Sequence, residues 1–175
     1  MVRTRTAPHI RSFSVKNMQP DHANNRRMPD QITTRLQELL NHHSDKRVVV
    51  VGTTCTGKST MLSSIPGARD QDKEVFPKLT KEQSEYVCQE PWTEEIGRAM
   101  TGFVREHVKS EVGRPVFGTV VLDCDLIIIL KISDELLRER TAKRGAEFSD
   151  AKGMQMQLES EVASCGTPFM EYYVG

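Results

Sequence analysis

The chain reads Val48-Val49-Val50-Val51-Gly52-Thr53-Thr54-Cys55-Thr56-Gly57-Lys58-Ser59 where an apolar run meets a polar segment bounded by glycines. Four consecutive β-branched residues are typical of a strand that is buried on both faces of a parallel sheet. The residues from Lys58 to Ser64 favour a short helix, which Pro66 and Gly67 end. The stretch therefore predicts a buried strand, a tight loop and a helix in direct succession.

The polar segment fits the phosphate-binding pattern G-x-x-x-x-G-K-[ST] at every fixed position. In such a loop the backbone N–H groups point inward, and the following helix adds partial positive charge. We expect Lys58 to reach the β- and γ-phosphates of ATP and the Ser59 hydroxyl to bind Mg²⁺. The predicted nucleotide contacts are Gly52, Thr53, Thr54, Cys55, Thr56, Gly57, Lys58, Ser59 and Thr60. A chance loop between a strand and a helix is the alternative, which the matching flanks disfavour.

Beyond Arg47, apolar runs of strand length alternate with helical patterns. This alternation is typical of a parallel sheet with helices on both faces. We therefore predict an α/β protein over residues 46–175, with a three-layer α/β/α fold and a mostly parallel sheet of about five strands. The strands after Val48–Val51 are predicted at 68–70, 116–122, 126–132 and 170–174, and the helices near 58–64, 81–87, 94–112, 134–144 and 152–163.

Two Asp-x-Asp segments follow predicted strands. Asp70-Gln71-Asp72 ends the second strand, and the carboxyl ends of parallel strands line the ligand crevice of such sheets. One carboxylate, with Asp70 as the metal candidate, would support Mg²⁺, and the other would take the proton of an acceptor hydroxyl. The alternative is a solvated turn, because residues 69–74 are mostly charged.

The second segment is Asp123-Cys124-Asp125, which lies between two apolar runs. Val120-Val121-Leu122-Asp123 has the form of a strand that ends in a metal-supporting acid, so Asp123 is a second metal candidate. In the alternative reading, Asp125 only caps the turn into the next strand.

Basic residues cluster near the end of the helix predicted at 134–144. Arg140 and Arg144 are four residues apart and share a helix face. Arginines above the crevice would neutralise the charge of a transferring phosphoryl group, so both are candidate catalytic residues. The alternative is a solvated helix face, since Glu135 and Glu139 offer ion-pair partners.

The first 45 residues have a different character. Residues 1–20 contain four basic residues and no acidic one, as in transit peptides, and Arg11-Ser12-Phe13-Ser14 resembles a mitochondrial processing site. A basic, disordered tail on a cytoplasmic protein stays open as the other reading. Asp30 would cap a short helix at 31–41, which we expect to pack outside the core fold or against a protein partner.

Bulk properties limit the remaining function classes. The chain has 175 residues and a formal net charge of zero, so charge indicates no nucleic-acid partner. No apolar run approaches the roughly 20 residues that span a bilayer. The four cysteines are widely spaced, which suits neither a metal site nor a disulfide framework and favours a reducing compartment.

With these features together, residues 47–165 resemble the small-molecule kinases of the P-loop NTPase class, particularly the shikimate and gluconate kinase group. The resemblance rests on residues 52–59, on Asp70-Gln71-Asp72, on Glu90-Pro91-Trp92 and on 127–145. It implies ATP and Mg²⁺ as cofactors, the Asp pair as a metal and acceptor site, and an arginine-bearing helix before a lid. The acceptor-binding arginine of that group has no clear counterpart near Trp92, so the resemblance implies no acceptor identity.

Three functions follow from these residues. The first is a Mg²⁺-dependent kinase that acts on an unidentified small molecule or nucleotide, with Lys58, Asp70, Asp72, Arg140 and Arg144 as catalytic residues. The second is a nucleoside triphosphatase in which Asp123 supports the metal. The third is a nucleotide-binding regulator that contacts a partner through the helix at 31–41.

Overall fold

The computed structural model describes residues 31–175, which form an α/β protein around a five-stranded, all-parallel sheet. The sheet order is β2-β3-β1-β4-β5, so the first strand lies at its centre. The strands are β1 (Val48–Val51), β2 (Arg69–Asp70), β3 (Val116–Gly118), β4 (Leu126–Lys131) and β5 (Phe169–Tyr173). This confirms the α/β class and the five-strand sheet.

Seven α-helices connect and cover the strands within residues 31–175. They are α1 (Gln31–His42), α2 (Lys58–Ser64), α3 (Gln71–Val75), α4 (Lys81–Val87), α5 (Glu94–His107), α6 (Asp134–Arg144) and α7 (Phe148–Ser164). Local capping sets several of their ends. The hydroxyls of Thr80, Thr93 and Ser133 accept hydrogen bonds from backbone N–H groups of the first turns of α4, α5 and α6. Gly145 ends α6 in the left-handed conformation that glycine adopts most readily.

The sheet has an apolar core on each face. Alternate valines of β1 point to opposite sides, so Val48 and Val50 join one core while Val49 and Val51 join the other. The first core includes buried residues of α1, α2 and α6, and the second includes buried residues of α3, α5 and α7. Helices therefore cover both faces, which is compatible with the predicted three-layer arrangement.

Helix α1 belongs to the core, which corrects the expectation that it packs outside the fold. Leu36 is fully buried and Leu40 nearly so, in the same cluster as Val50 and Ile128. The hydroxyl of Tyr172, on β5, also donates a hydrogen bond to the carbonyl of Ile32 at 2.5 Å. The apolar face of α1, which we expected to be available to a protein partner, packs against the sheet. The domain boundary predicted at residue 45/46 therefore does not separate α1 from the rest of the domain.

Three predicted bounds were wrong in the second half of the chain. β3 ends at Gly118 rather than at 122, because residues 119–125 lead back to the opposite edge of the sheet before β4 begins. α5 ends at His107, and Val112 forms an antiparallel bridge with Arg47 instead of extending the helix. α7 begins at Phe148 rather than at the predicted 152, and the guanidinium of Arg138 lies 3.7 Å from the Phe148 ring centre at this first turn.

Within residues 31–175, no helix combines the length and apolar character needed to cross a membrane. The predicted transit peptide and the Asp30 cap lie outside the described residues.

Candidate functional site

The glycine-bounded loop leaves the carboxyl end of β1, at the centre of the sheet. Gly52 donates its N–H to the carbonyl of Gly118, at the end of β3, over 3.2 Å. A Cβ atom on Gly52 would lie only 3.0 Å from Cβ of Leu130, which explains the need for glycine there. The loop is therefore enclosed by β3 on one side and β4 on the other.

Two buried threonines fix the shape of the loop. The Thr53 hydroxyl donates to the carbonyl of Ala151, on α7, at 2.5 Å, and the Thr56 hydroxyl donates to the carbonyl of Thr53 at 2.9 Å. Both side chains are almost completely buried. Gly57 then starts α2 with a φ of +94°, a conformation that disfavours any residue with a Cβ. Hydrogen bonds from its own threonine side chains, one of them to α7, therefore fix the loop backbone.

Lys58 turns back over this loop. Its ammonium donates to the carbonyls of Gly52 at 2.5 Å and Thr53 at 2.6 Å. Burial of the ammonium lowers the pKa of Lys58 from 10.5 to about 8, although the attraction of Asp72 opposes this shift. Two neutral carbonyl groups thus hold the Lys58 ammonium beside the loop. An anionic ligand in their place would form stronger, charge-assisted hydrogen bonds with it.

The first Asp-x-Asp segment lies on the same side of the sheet as Lys58. Asp70 ends β2 and caps α3 by accepting a hydrogen bond from the N–H of Asp72 at 3.0 Å. Both carboxylates act electrostatically on Lys58. Partial desolvation and repulsion from Asp70 raise the pKa of Asp72, although this residue keeps solvent contact and Lys58 opposes the shift. Both predicted carboxylates therefore lie at the carboxyl end of β2, close enough to Lys58 for their charges to act on it.

Gln71 anchors the pair, a role that the sequence did not indicate. Its side chain is buried and forms two hydrogen bonds with the backbone of Val120, from Nε2 to the carbonyl at 2.7 Å and from the Val120 N–H to Oε1 at 3.1 Å. Gly118 leaves the space for it, since a Cβ there would lie 1.9 Å from Oε1. Between two aspartates, a buried amide has no sequence signal that distinguishes it from a surface residue.

The arginines of α6 lie above the other side of the loop. Arg140 donates to the carbonyl of Thr56 at 2.9 Å and approaches that of Cys55 at 3.4 Å. Arg144 is exposed and lies close enough for its charge to lower the pKa of Lys58. The two residues therefore come together with the loop, whereas Glu139 of the same helix pairs with Lys143.

Asp123 does not lie at this site. Its carboxylate accepts a hydrogen bond from Arg47 at 2.8 Å, just before the start of β1, and Arg47 also binds Asp125 at 2.8 Å. Because β3 ends early, the chain has returned to the amino edge of the sheet by residue 123. The interpretation of Asp123 as a metal-supporting residue was wrong for that reason, and its role here is in an ion pair.

The donor set at the carboxyl edge suits Mg²⁺ in type. Ser59 is exposed in the first turn of α2, and Asp70 and Asp72 provide carboxylate oxygens near Lys58. Hydroxyl, carboxylate and phosphate oxygens with several waters are the ligands that Mg²⁺ prefers. No group of three or more His, Cys, Asp or Glu side chains suited to a metal occurs in the part of the chain that the structure describes.

A cleft of about 300 Å³ opens beside the loop on the α6 side. Its walls come from α1, the loop, α2, α6 and the end of β5. The predicted loop and the arginine pair of α6 both line this cleft, but the contributions of Ile32, Thr33 and Val174 had no sequence signal. No family model and no curated protein matches this chain.

Proposed function

We propose that this protein binds ATP with Mg²⁺ through residues 52–60 and transfers the γ-phosphoryl group to a small hydroxylated molecule or nucleotide. The observation that carries the proposal is the position of Lys58. Its ammonium lies against the carbonyls of Gly52 and Thr53, within electrostatic range of Asp70, Asp72 and Arg144. A cation, two carboxylates and a phosphate-binding pattern meeting at one sheet edge support phosphoryl transfer.

The residues divide the work of the reaction. The loop N–H groups and Lys58 hold the phosphates, and Ser59 with Asp70 would hold Mg²⁺, which supplies charge neutralisation on the transferred group. Asp72 accepts the proton of the acceptor hydroxyl, a role that its raised pKa favours. Arg140 and Arg144 neutralise charge from the α6 side. Most of the catalysis is positioning and electrostatic stabilisation, because phosphoryl transfer needs little covalent chemistry from the protein.

The two alternative functions lose support from the described residues. The hydrolase hypothesis relied on Asp123 for its metal, and that residue pairs with Arg47 at the other edge. The regulator hypothesis relied on a free apolar face of the helix at 31–41, and that face is buried against the sheet.

The direct experiment incubates the protein with γ-labelled ATP, Mg²⁺ and a panel of sugars, hydroxy acids, nucleosides and nucleotides. We expect label transfer to at least one acceptor, and loss of that transfer in Lys58→Ala. Clear release of labelled phosphate with no acceptor labelled would instead identify water as the acceptor and contradict the kinase proposal.

A further inference from the structure

Strand β5 leaves one edge of the sheet open. It is the last strand in the sheet order, and within residues 31–175 no further strand pairs with its outer edge. The carbonyl of Pro168 accepts a hydrogen bond from β4, and the N–H of Val174 donates one to β4. Because alternate residues of a strand bond to opposite sides, the N–H and C=O groups of Phe169, Glu171 and Tyr173 point outward.

The same strand carries much of the exposed apolar surface. Six large apolar residues are exposed among residues 31–175, and three of them lie on β5, which has only five residues. They are Phe169, Met170 and Tyr173, with exposed fractions of 46%, 38% and 65%. Single exposed apolar residues are normal, but a group of them along an unpaired strand edge is typical of a surface that pairs with another chain.

The charge on this edge is partly balanced. Glu171 is the one charged residue of β5. Its carboxylate lies 3.7 Å from the ammonium of Lys131 and accepts a hydrogen bond from the Tyr173 hydroxyl at 2.9 Å. A charged residue on an edge strand discourages pairing, because it repels the same residue of a second copy. The two contacts of Glu171 reduce this repulsion without removing it.

We propose that β5 pairs antiparallel with β5 of a second copy, about a two-fold axis at Glu171, and forms a continuous ten-stranded sheet. In this register the outward N–H and C=O groups of Glu171 meet those of its own copy, and those of Phe169 meet those of Tyr173. The strand edge is thus complementary to itself under a two-fold rotation. Phe169 and Tyr173 also lie opposite each other on one face of the sheet, where aromatic pairs are favourable.

The size of this contact predicts a weak, reversible dimer. A buried Phe or Tyr side chain accounts for roughly 150–250 Å² of surface, so the exposed parts of Phe169 and Tyr173 amount to roughly 100 Å² each. Four such side chains contribute roughly 400 Å², to which Met170 and the paired backbone add. The total lies at or below the lower end of the range for stable interfaces, about 1,200 Å², which is typical of transient association.

The dimer would leave both candidate sites open. Antiparallel pairing directs the carboxyl edges of the two copies to opposite ends of the joint sheet. Each glycine-bounded loop follows β1, which β4 and β5 separate from the two-fold axis. Nucleotide binding should therefore be independent of association, so the failure of one proposal would not affect the other.

The experiment is sedimentation velocity of the full chain at concentrations from about 1 μM to 1 mM, a range that suits weak association. It compares the wild type with Tyr173→Glu and with Val112→Glu as the matched control. Val112 is 59% exposed but lies outside β5. We expect a reversible wild-type dimer, whose dissociation constant rises at least about tenfold in Tyr173→Glu and less than about twofold in Val112→Glu.

Two further measurements give results that a folding defect does not imitate. Glu171→Gln removes the like charges at the axis and should lower the dissociation constant about threefold or more. Hydrogen exchange of the wild type should slow at the outward amides of Phe169, Glu171 and Tyr173 as the protein concentration rises. The amides of Met170 and Tyr172, which face β4, should not respond to concentration.

Wild-type protein that stays monomeric up to about 1 mM would overturn the proposal. Equal effects of Tyr173→Glu and Val112→Glu on association would overturn it as well, because the contact would then lie elsewhere. Protection of the outward amides that is the same at every concentration would also contradict the dimer, since another segment of the same chain would then cover the edge.

Discussion

The two Asp-x-Asp segments look alike in sequence but lie at opposite edges of one sheet. Asp70 and Asp72 follow β2 at the carboxyl edge, beside Lys58 and the glycine-bounded loop. Asp123 and Asp125 lie at the amino edge, where both bind the guanidinium of Arg47. Their electrostatics differ in sign: desolvation and Asp70 raise the pKa of Asp72, whereas hydrogen bonds from Arg47 lower the pKa of Asp125.

The difference separates residues that hold the fold from residues available for chemistry. At the amino edge, one arginine satisfies both carboxylates through short hydrogen bonds, so these charges stabilise the start of β1. At the carboxyl edge, Asp72 is left near another carboxylate and a half-buried lysine, an arrangement less favourable for folding. Uncompensated charge of this kind is typical of functional sites.

The largest expected effect is on the rate of phosphoryl transfer, which we compare between substitutions at the carboxyl edge and at the amino edge. Asp72→Asn should lower phosphoryl transfer about 10²- to 10⁴-fold, because it removes the proposed proton acceptor. Asp123→Asn should change it less than about threefold, since this residue lies at the other edge. Initial rates with labelled ATP and the identified acceptor measure both. Equal losses in the two variants would break the functional distinction between the edges.

The next largest effect is on stability and concerns the hydrogen bonds by which Gln71 holds the Asp70–Asp72 segment in place. Gly118→Ala should lower the free energy of unfolding by about 2–4 kcal/mol, because its Cβ would displace Gln71 from two buried hydrogen bonds. Gly102→Ala is the matched control, since it lies within α5 with no heavy atom within 4 Å of the added Cβ. It should be neutral or stabilise by up to about 1 kcal/mol. Urea denaturation measures the free energy of unfolding of both variants. Similar values for the two would contradict the role of Gln71 as the anchor of Asp70 and Asp72.

The titration of Lys58 predicts a pH dependence of binding. With a pKa of about 8 in the free protein, Lys58 loses its charge as the pH rises through that value. Phosphate binding needs the charged form, so ATP affinity should fall about tenfold for each pH unit above about 8, with uptake of a proton. Titrations at pH 7, 8 and 9 in buffers of different ionisation enthalpy measure both quantities. A flat profile would show that Lys58 does not contact the phosphates.

The smallest expected effect is an opposite change in stability at the two edges. The folded-state pKa of Asp72 is raised, so its ionised form destabilises the fold at pH 7, and Asp72→Asn should raise the melting temperature there. The folded-state pKa of Asp125 is lowered, so its contribution is present above its ordinary value of 3.8 and is lost as the pH falls below it. Asp125→Asn should therefore lower the melting temperature at pH 7, with a smaller difference from wild type in acid. Shifts of the same sign would contradict the contrast.

Much of the fold could be predicted from local pattern. The valine run predicted β1, and α2, α4 and α6 were predicted at their observed bounds. Pro66 follows the C-cap residue of α2, and Ser133 and Gly145 are a typical N-cap and C-cap for the helix between them. The loop residues were predicted as one group because they are consecutive. Asp70 and Asp72 were predicted to approach the loop because strand ends in a parallel sheet share an edge.

The rest depended on tertiary contacts that no local pattern carries. Val120, Val121 and Leu122 are apolar and look like a continuing strand, but they are buried in a segment that returns across the edge of the sheet. That return moved Asp123 to Arg47, 76 residues away in sequence. The spacing of apolar residues such as Leu36 and Leu40 correctly predicted the helix α1. Only the tertiary structure shows that this helix packs on the sheet as part of the core and borders the cleft.

The central claim, that a nucleoside triphosphate binds at the carboxyl edge, is tested most directly by titrating Mg²⁺-ATP into the wild type, Lys58→Ala and Asp123→Asn at pH 7. We predict saturable binding to the wild type, an affinity lower by about 100-fold or more in Lys58→Ala, and an unchanged affinity in Asp123→Asn. Wild-type protein that binds no ATP, or Lys58→Ala that binds as tightly as wild type, would contradict the account.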